Sequence, residues 1–406
     1  DKALAMSFLT NPNMFAEIEH DTEILGYVGE ETNKKLMYLA ATSRLLDDPI
    51  SILILSESGS GKSYLVDTIK RLMPPEDVID VTSLSDQALN YMGDLEHKFM
   101  SLSEAVHKDV IEHQLREMVS NKELRRLVTK KDEATGSMKA EQVSVKAIVS
   151  LVMSSTNYKV NPENASRSFV IQTDESKEQT QRIYHRQREK YTFERQKIQK
   201  EVVPRIIRKH QSAQRMLKKY LIQNDFNQYL DFPDNMMRFR RDQDRFIDLI
   251  AVVCFVRQYQ KQVKERDALL CIECDLTDYA IARQLLVEGI LSHSTDDMPS
   301  GTKRLFEMLR DLVADKADKR GLNAKEVTVI QKELREYSGL GHEFVKKHMR
   351  TLVEYEYVEV ISGRANGTRR AYRLREERDI QAIRIDLIPT VEEMKKRIAE
   401  AGQGEV

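Results

Sequence analysis

Short apolar runs alternate with amphipathic stretches along the first half of the chain. SILIL (Ser51 to Leu55) is a strand-length run with β-branched members, and KSYLVDTIKRLM (Lys62 to Met73) reads as a helix that stops before Pro74 and Pro75. VIDV (Val78 to Val81) predicts a second strand, SDQALNYMGD a helix leading away from it, and HKFMSLSE (97 to 104) a third strand ending in an acid. A helix over roughly 104 to 119 follows. Two alternating segments, Leu124 to Thr129 and Gln142 to Lys146, flank a Gly-containing tip and predict a long β-hairpin. AIVSLVMSSTN (Ala147 to Asn157) is continuous apolar sequence ending in polar residues, the signature of a parallel strand buried on both faces. One more strand starts just after Arg167.

The second half reads as helical. Residues 175 to 230 are densely charged, and opposite charges three or four apart suit a solvated helix, with Pro204 marking a break or a new helix start. Phe246 to Val263 is apolar enough for a packed helix. Leu305, Leu309 and Leu312 share one helical face, Val327, Ile330 and Leu334 a second, and Val345, Met349 and Leu352 a third. SGLG between the last two is a turn of helix-turn-helix type, and YVEVISGRANGTRRAYRL a β-hairpin with a basic tip. Three helices and such a hairpin make a winged helix. Its third helix exposes Lys346, Lys347 and Arg350, suited to a DNA groove or, as in many winged helices, to a protein, and in the DNA reading Arg364, Arg369 and Arg370 on the hairpin would meet phosphates. Glu376 to Val406 predicts one more helix and a frayed tail.

Between the first strand and its helix lies SESGSGKS, which follows the phosphate-loop pattern G-x-x-x-x-G-K-[ST] except that Ser56 stands at the first position. Gly59 and Gly61 let backbone N–H groups turn toward phosphate, Lys62 reaches the β/γ-phosphates, and Ser63 offers a hydroxyl to Mg²⁺. The nucleotide-holding stretch therefore runs Ser58, Gly59, Ser60, Gly61, Lys62, Ser63, Tyr64. The acid ending the third strand is Glu104, suited to polarising an attacking water or simply to opening the next helix, while Ser103 stands where a second carboxylate would organise the metal. Thr156 or Asn157, at the end of the buried strand, would meet the γ-phosphate or the water, and Arg167 would reach a neighbouring subunit's nucleotide. The hairpin shoulders carry Arg125, Arg126, Lys130, Lys131 and Lys139, suited to a phosphate backbone or simply to a protected edge.

Composition narrows the field. The chain has 406 residues, enough for two or three domains, with 32% charged and 41% hydrophobic residues and a net charge of −1. So balanced a chain has no general polyanion-binding field, and nucleic-acid contacts must come from local basic clusters. The longest apolar run, IDLIAVVCFV, is far short of a membrane span. No signal peptide is visible, and the first residue is Asp1 rather than Met, as in a chain trimmed from a longer one. Three cysteines make no disulfide framework and fit a reducing cytoplasm. Cys271 and Cys274 form a lone CxxC with no second Cys or His pair at ligand spacing, so an ordinary strand is expected there.

DPISILILSESGSGKSYLVDTI, MPPEDV, QALNYMG, LEHK, NASRSFV and QTDESKEQTQRIYHRQRE together resemble the AAA+ ATPase region of bacterial and mobile-element replication proteins that often carry a zinc-finger primase-like part upstream. The resemblance continues through FPDNMMRFRRDQDRF to the winged helix, covering roughly residues 20 to 376. Serine at the first loop position is common in such proteins. The resemblance implies an α/β AAA+ P-loop core with a helical lid followed by a winged-helix domain, similar in plan to minichromosome-maintenance helicases. It implies ATP and Mg²⁺ as cofactors, a homo-oligomeric, hexameric ring around single-stranded DNA, and a primase-like partner. It matches Glu104 to the Walker B acid, with Ser103 departing from the pattern, Thr156 or Asn157 to the sensor, Arg167 to the finger, and Arg241, with Arg240 as the alternative, to the lid arginine. Expected boundaries are an N-terminal helical segment over 1–40, the core over 41–175, linker and lid over 176–298, winged helix over 299–376 and a tail over 377–406. The expected function is an ATP-dependent DNA motor. Its competitors are a non-hydrolysing clamp or adaptor and a site-specific initiator or transposition regulator.

Overall fold

The computed structural model describes residues 1–82, 84, 89, 92–102, 109–131, 138–156, 167–232, 239–291, 300–323, 326–354, 357–362, 370–374 and 388–402. The chain divides into two compact units, Asp1–His293 with Ile385–Val406, and Ser294–Arg384. Among the described residues no helix is long and apolar enough to cross a membrane.

The first unit is built on a five-stranded parallel sheet of β1 (Ile52–Leu55), β2 (Val78–Val81), β3 (Lys98–Leu102), β6 (Val149–Ser155) and β7 (Phe169–Ile171), in the order β2-β3-β6-β1-β7. Every residue of β1 and β6 is buried. The apolar runs seen in the sequence are continuous because helices cover both faces of the sheet. Leu53, Met100, Leu102, Leu151 and Met153 form one core with Leu115 and Met118 of α5 (Asp109–Asn121). The β-hairpin is present as β4 (Glu123–Lys131) and β5 (Met138–Lys146), antiparallel in a register that sets Lys130 opposite Lys139. Its tip lies outside the described residues, as does most of the helix expected over SDQALNYMGD.

Three helices precede the sheet: α1 (Lys2–Thr10), α2 (Met14–Leu25) and α3 (Glu31–Ser43). After β1 comes α4 (Lys62–Leu72), and after β7 come α6 (Lys177–Arg188), α7 (Phe193–Lys197) and α8 (Val203–Met216). Only part of the charged stretch is solvated as the sequence reading expected. In α8, which Pro204 opens, Val203, Ile206, His210, Ala213 and Gln214 are buried at helical spacing. Buried His210 donates or accepts between Asp21 Oδ2 (2.8 Å) and the Tyr38 hydroxyl (3.1 Å), and Gln214 accepts from buried Arg44 (2.8 Å). These long-range polar contacts lock α8 onto α2 and α3.

A small sheet orders β8 (Leu221–Gln223), β10 (Leu269–Glu273) and β9 (Lys264–Arg266), beside α9 (Phe239–Val256) and α10 (Leu276–Leu285). The Asp275–Asp278 capping box starts α10. The closing helix α14 (Val391–Gly402) returns to this unit, where the Tyr279 hydroxyl donates to Pro389 O (2.5 Å) and Arg397 to Tyr229 O (2.9 Å).

The second unit holds α11 (Ser300–Arg320), α12 (Gln331–Ser338) and α13 (His342–Glu354), with an antiparallel sheet of β11 (Val329–Ile330), β13 (Ala371–Leu374) and β12 (Val358–Ser362) in that spatial order. Leu305, Leu309, Leu312, Val327, Leu334, Val345, Met349 and Leu352 share its core. Val327 and Ile330 differ from expectation, since both precede α12 and only Leu334 of that face lies on it. Ile330 ends β11 and caps α12, its N–H donating to Glu333 Oε2 (2.9 Å), because strand pairing with Ala371 captures it before the helix begins. Gly339, at φ 68°, closes α12 in the left-handed conformation and starts the SGLG turn.

Candidate nucleotide-binding site

The loop between β1 and α4 emerges between the ends of β6 and β7, at the carboxyl edge of the sheet. Gly59 (φ 83°) and Gly61 (φ 99°) are its left-handed residues, the conformation that only glycine adopts without strain. Ser56 is not among them, so the first position tolerates a side chain. Its buried hydroxyl accepts from Thr173 N (2.9 Å) and donates to Leu55 O (2.6 Å), tying the start of the loop to the chain leaving β7. Lys62 is folded back over the loop, its Nζ donating to Ser56 O (2.8 Å) and Glu57 O (2.5 Å). Burial lowers the Lys62 pKa against the opposing pull of Glu175 and Glu57. Ser63 and Tyr64 are exposed on the first turn of α4, where free N–H groups and the helix dipole favour an anion.

Several neighbours of the loop escaped the sequence reading. The Glu175 carboxylate accepts from Glu57 N (2.8 Å) and anchors the outer limb of the loop. On another side, the turn after α2 brings Tyr27 to the loop, with its ring 6.2 Å from that of Tyr64. Gly26 (φ 120°) leaves no room for a Cβ, which would sit 2.1 Å from the Tyr64 hydroxyl, itself donating to Leu25 O (3.3 Å). Gln179 of α6 donates to Val28 O (2.7 Å) and fills the space over Gly29. Burial pushes the Glu30 carboxyl up to about 7, while the Asn33 amide, at 2.8 Å, works against the shift. The signal in the sequence was the glycine pair around Tyr27 in GYVG, directly ahead of α3.

Thr156 is exposed directly after β6, next to Ser155, whose carbonyl accepts from Ser56 N (3.3 Å). The fold thus brings Thr156 to the loop. β3 runs parallel to β6 and ends at Leu102 on the same edge, so the chain leaves toward Ser103 and Glu104 there, but those two residues and Asn157 lie outside the described residues. Arg167 is at the opposite edge of the sheet. It precedes β7, where Phe169 N bonds Ser51 O (2.9 Å), and its Nε donates to Ser120 Oγ (2.6 Å). Arg241 sits one turn before Arg245 in α9, and the Arg245 guanidinium binds Ser168 O and stacks 5.3 Å from the Phe169 ring centre. Neither Arg167 nor Arg241 is brought to the loop of its own chain. The side chains of Arg240, Lys130, Lys131 and Lys139, and all of Arg364 and Arg369, lie outside the described residues. Lys346, Lys347 and Arg350 are exposed on α13, and Arg370 is exposed just before β13.

Cys271 lies in β10 and Cys274 just after it. Spacing along the chain did not reveal that Cys254 of α9 converges on Cys274 and Asp278, all within 4.8 Å. The Asp278 carboxylate is already neutralised by Arg257 and by Lys261 (2.7 Å), so the trio packs as a charge-balanced cluster and does not fit a divalent metal.

A parallel sheet with a strand, a two-glycine loop and a lysine at the start of the following helix defines a P-loop domain. The chain belongs to the MTBMA_p00010 P-loop domain family, whose model matches residues 2–216, from α1 to the end of α8. No curated protein matches the chain. Among solved structures it is similar to a full-length MCM homologue from Methanopyrus kandleri, at 11% identity and a TM-score of 0.44, over 71% of this chain and 61% of that one. The chain therefore spans less than two thirds of that protein's length.

Proposed function

We propose that the protein is an AAA+ ATPase that moves along DNA, a ring-forming replicative helicase of a bacterial or mobile-element system acting in the cytoplasm. The observation that carries this reading is the strand order β2-β3-β6-β1-β7, with the phosphate loop after β1 and Thr156 at the neighbouring strand end. The backbone N–H groups of Ser58 to Ser63 hold the phosphates, Lys62 leaves its carbonyl partners for the β/γ-phosphates, and the Ser63 hydroxyl would hold Mg²⁺, which neutralises charge on the phosphates when bound. Glu104 activates the water, and Thr156 or Asn157 orients it.

Arg167 and Arg241, at the far edge of the sheet, serve the nucleotide of the next subunit; this is why the reading requires a ring. The β4–β5 hairpin, with Lys130, Lys131 and Lys139, tracks single-stranded DNA. The second unit acts as a winged helix, using Lys346, Lys347 and Arg350 with Arg364, Arg369 and Arg370. The functional boundaries follow the expected core over 41–175, lid over 176–298 and winged helix over 299–376.

The test is complementation between two inactive variants. Lys62→Ala cannot bind ATP and Arg167→Ala cannot complete a neighbour's site, so each alone is silent. In a mixture, some interfaces combine an intact loop with an intact arginine, and hydrolysis returns. A mixture as silent as its parts would refute the shared site. A second reading, an ATP-assembled clamp or adaptor without turnover, is favoured by Ser103 in the place of a carboxylate. It requires ATP-dependent oligomers that do not hydrolyse.

A further inference from the structure

The α6–α7 corner has a face that neither the nucleotide site nor the hairpin uses. On α6, Gln179, Ile183 and Arg186 follow one another at spacings of four and three and turn inward. Arg186 donates to Glu23 O (2.8 Å), and Arg195 of α7 to Ile24 O (2.9 Å), clamping the corner to the C-terminal carbonyls of α2. The opposite stripe, Lys177, Gln181, Tyr184 and Arg188, is exposed along its length. Immediately beyond it the turn and α7 expose Tyr191 at 79% and Phe193 at 77%, and Tyr184 itself is 53% exposed. The Lys190 ammonium stands 5.3 Å from the centre of the Tyr191 ring.

Three such exposed rings are costly in a surface that only needs solvation, which a stripe of charges would satisfy. Their neighbours are basic. Lys177 to Lys200 carry eight Lys and Arg against three Glu, in a chain whose overall balance is −1. Glu189 is held by Arg186 (2.7 Å), leaving Glu178 and Glu194 as the acids facing outward. Rings that stack on bases, interleaved with cations that meet phosphates, match one strand of nucleic acid with its bases unpaired. A protein partner would be recognised by apolar contact with fewer uncompensated charges of one sign.

We propose that the α6–α7 corner is a binding site for single-stranded DNA, with Tyr184, Tyr191 and Phe193 stacking on bases and Arg188, Lys190 and Lys197 meeting the backbone. The choice of DNA over RNA rests on the motor reading above; the stacking site itself does not need ATP. Its position on the clamp to α2, whose last carbonyl Tyr64 also engages, places the site one helix from the phosphate loop.

The test measures fluorescence anisotropy of labelled oligo(dT) and oligo(U) on the full chain without nucleotide, across a salt series. Tyr184→Ala/Tyr191→Ala/Phe193→Ala should weaken oligo(dT) by roughly a hundredfold or more, since three stacked bases are lost together. Arg188→Glu/Lys190→Glu/Lys197→Glu should reduce the slope of log affinity against log salt by about 2, at roughly 0.7 per lost phosphate contact. Both variants should keep parental ATP affinity, because none of the six residues touches the loop. Unchanged oligo(dT) affinity and slope in both variants would overturn the proposal. So would loss of self-association by sedimentation with unchanged DNA affinity, which would make the corner a subunit contact, or stronger binding of oligo(U). Absent ATP turnover with these DNA effects intact would count against the motor reading alone.

Discussion

Replacing Ser56 tests whether the unusual first residue of the loop is a structural bolt or a weakened phosphate contact. Its hydroxyl satisfies Thr173 N at 2.9 Å and donates to Leu55 O at 2.6 Å, in a position 1% exposed. Ser56→Ala leaves the buried Thr173 N–H without that acceptor, at about 1–3 kcal/mol, and removes a second bond of about 1 kcal/mol. Ser56→Gly loses both bonds and adds roughly 0.5–1 kcal/mol of chain entropy. With a urea dependence of about 2 kcal/mol per molar, the unfolding midpoint of the first unit should fall by about 1–2 M for alanine and somewhat further for glycine. In the proposed site the phosphate contacts fall to Ser58 through Ser63, so nucleotide affinity measured by calorimetry below the transition should change less than about threefold. Unaltered midpoints would refute the bolt. A glycine variant that binds ATP much more tightly would show that Ser56 had been obstructing the phosphates.

Lys62→Ala should abolish nucleotide binding in the same calorimetric assay while leaving the unfolding free energy from urea titration within about 1 kcal/mol of the parent, since Nζ bonds loop carbonyls and the Ser60 hydroxyl. Glu30 gives a pH prediction. Its folded pKa is raised from 4.5 to about 7, so the folded state holds a proton that the unfolded state has lost, and stability declines as pH rises from about 4.5 to about 7. Glu30→Gln should flatten that decline by up to a few kcal/mol, and parallel pH profiles for the two proteins would contradict the assignment. Gly26→Ala should lower the melting temperature and displace Tyr64, because the new methyl group would fall on the Tyr64 hydroxyl at a φ of 120°. An alanine variant as stable as the parent would show that the turn opens freely.

Local chemistry explains what was readable in the sequence. The loop, its strand and its helix are contiguous, and the pattern Gly59, Gly61, Lys62, Ser63 needs no partner from elsewhere to be recognised. The hairpin and the apolar faces of α11 and α13 were legible for the same reason, because period two and period 3.6 are short-range signals, whereas the face assigned to Val327, Ile330 and Leu334 ran across a strand. What surrounds the loop was not legible. Glu175 meets Glu57 across 118 residues, and Gln179 meets Val28 across 151. The stripe from Val203 to Gln214 was present in the sequence, but its many charges masked it, and only the burial of His210 against Asp21 and Tyr38 shows which face is inner. Cys254 reached Cys274 through the packing of α9 against the small sheet, which no spacing rule contains.

Steady-state ATP hydrolysis with and without single-stranded DNA, with Lys62→Ala as the blank, separates a motor from a clamp. In a motor, turnover rises several-fold with DNA and is absent from the blank. ATP bound tightly but not hydrolysed, with DNA making no difference, would contradict a motor and leave the ATP-assembled clamp in its place.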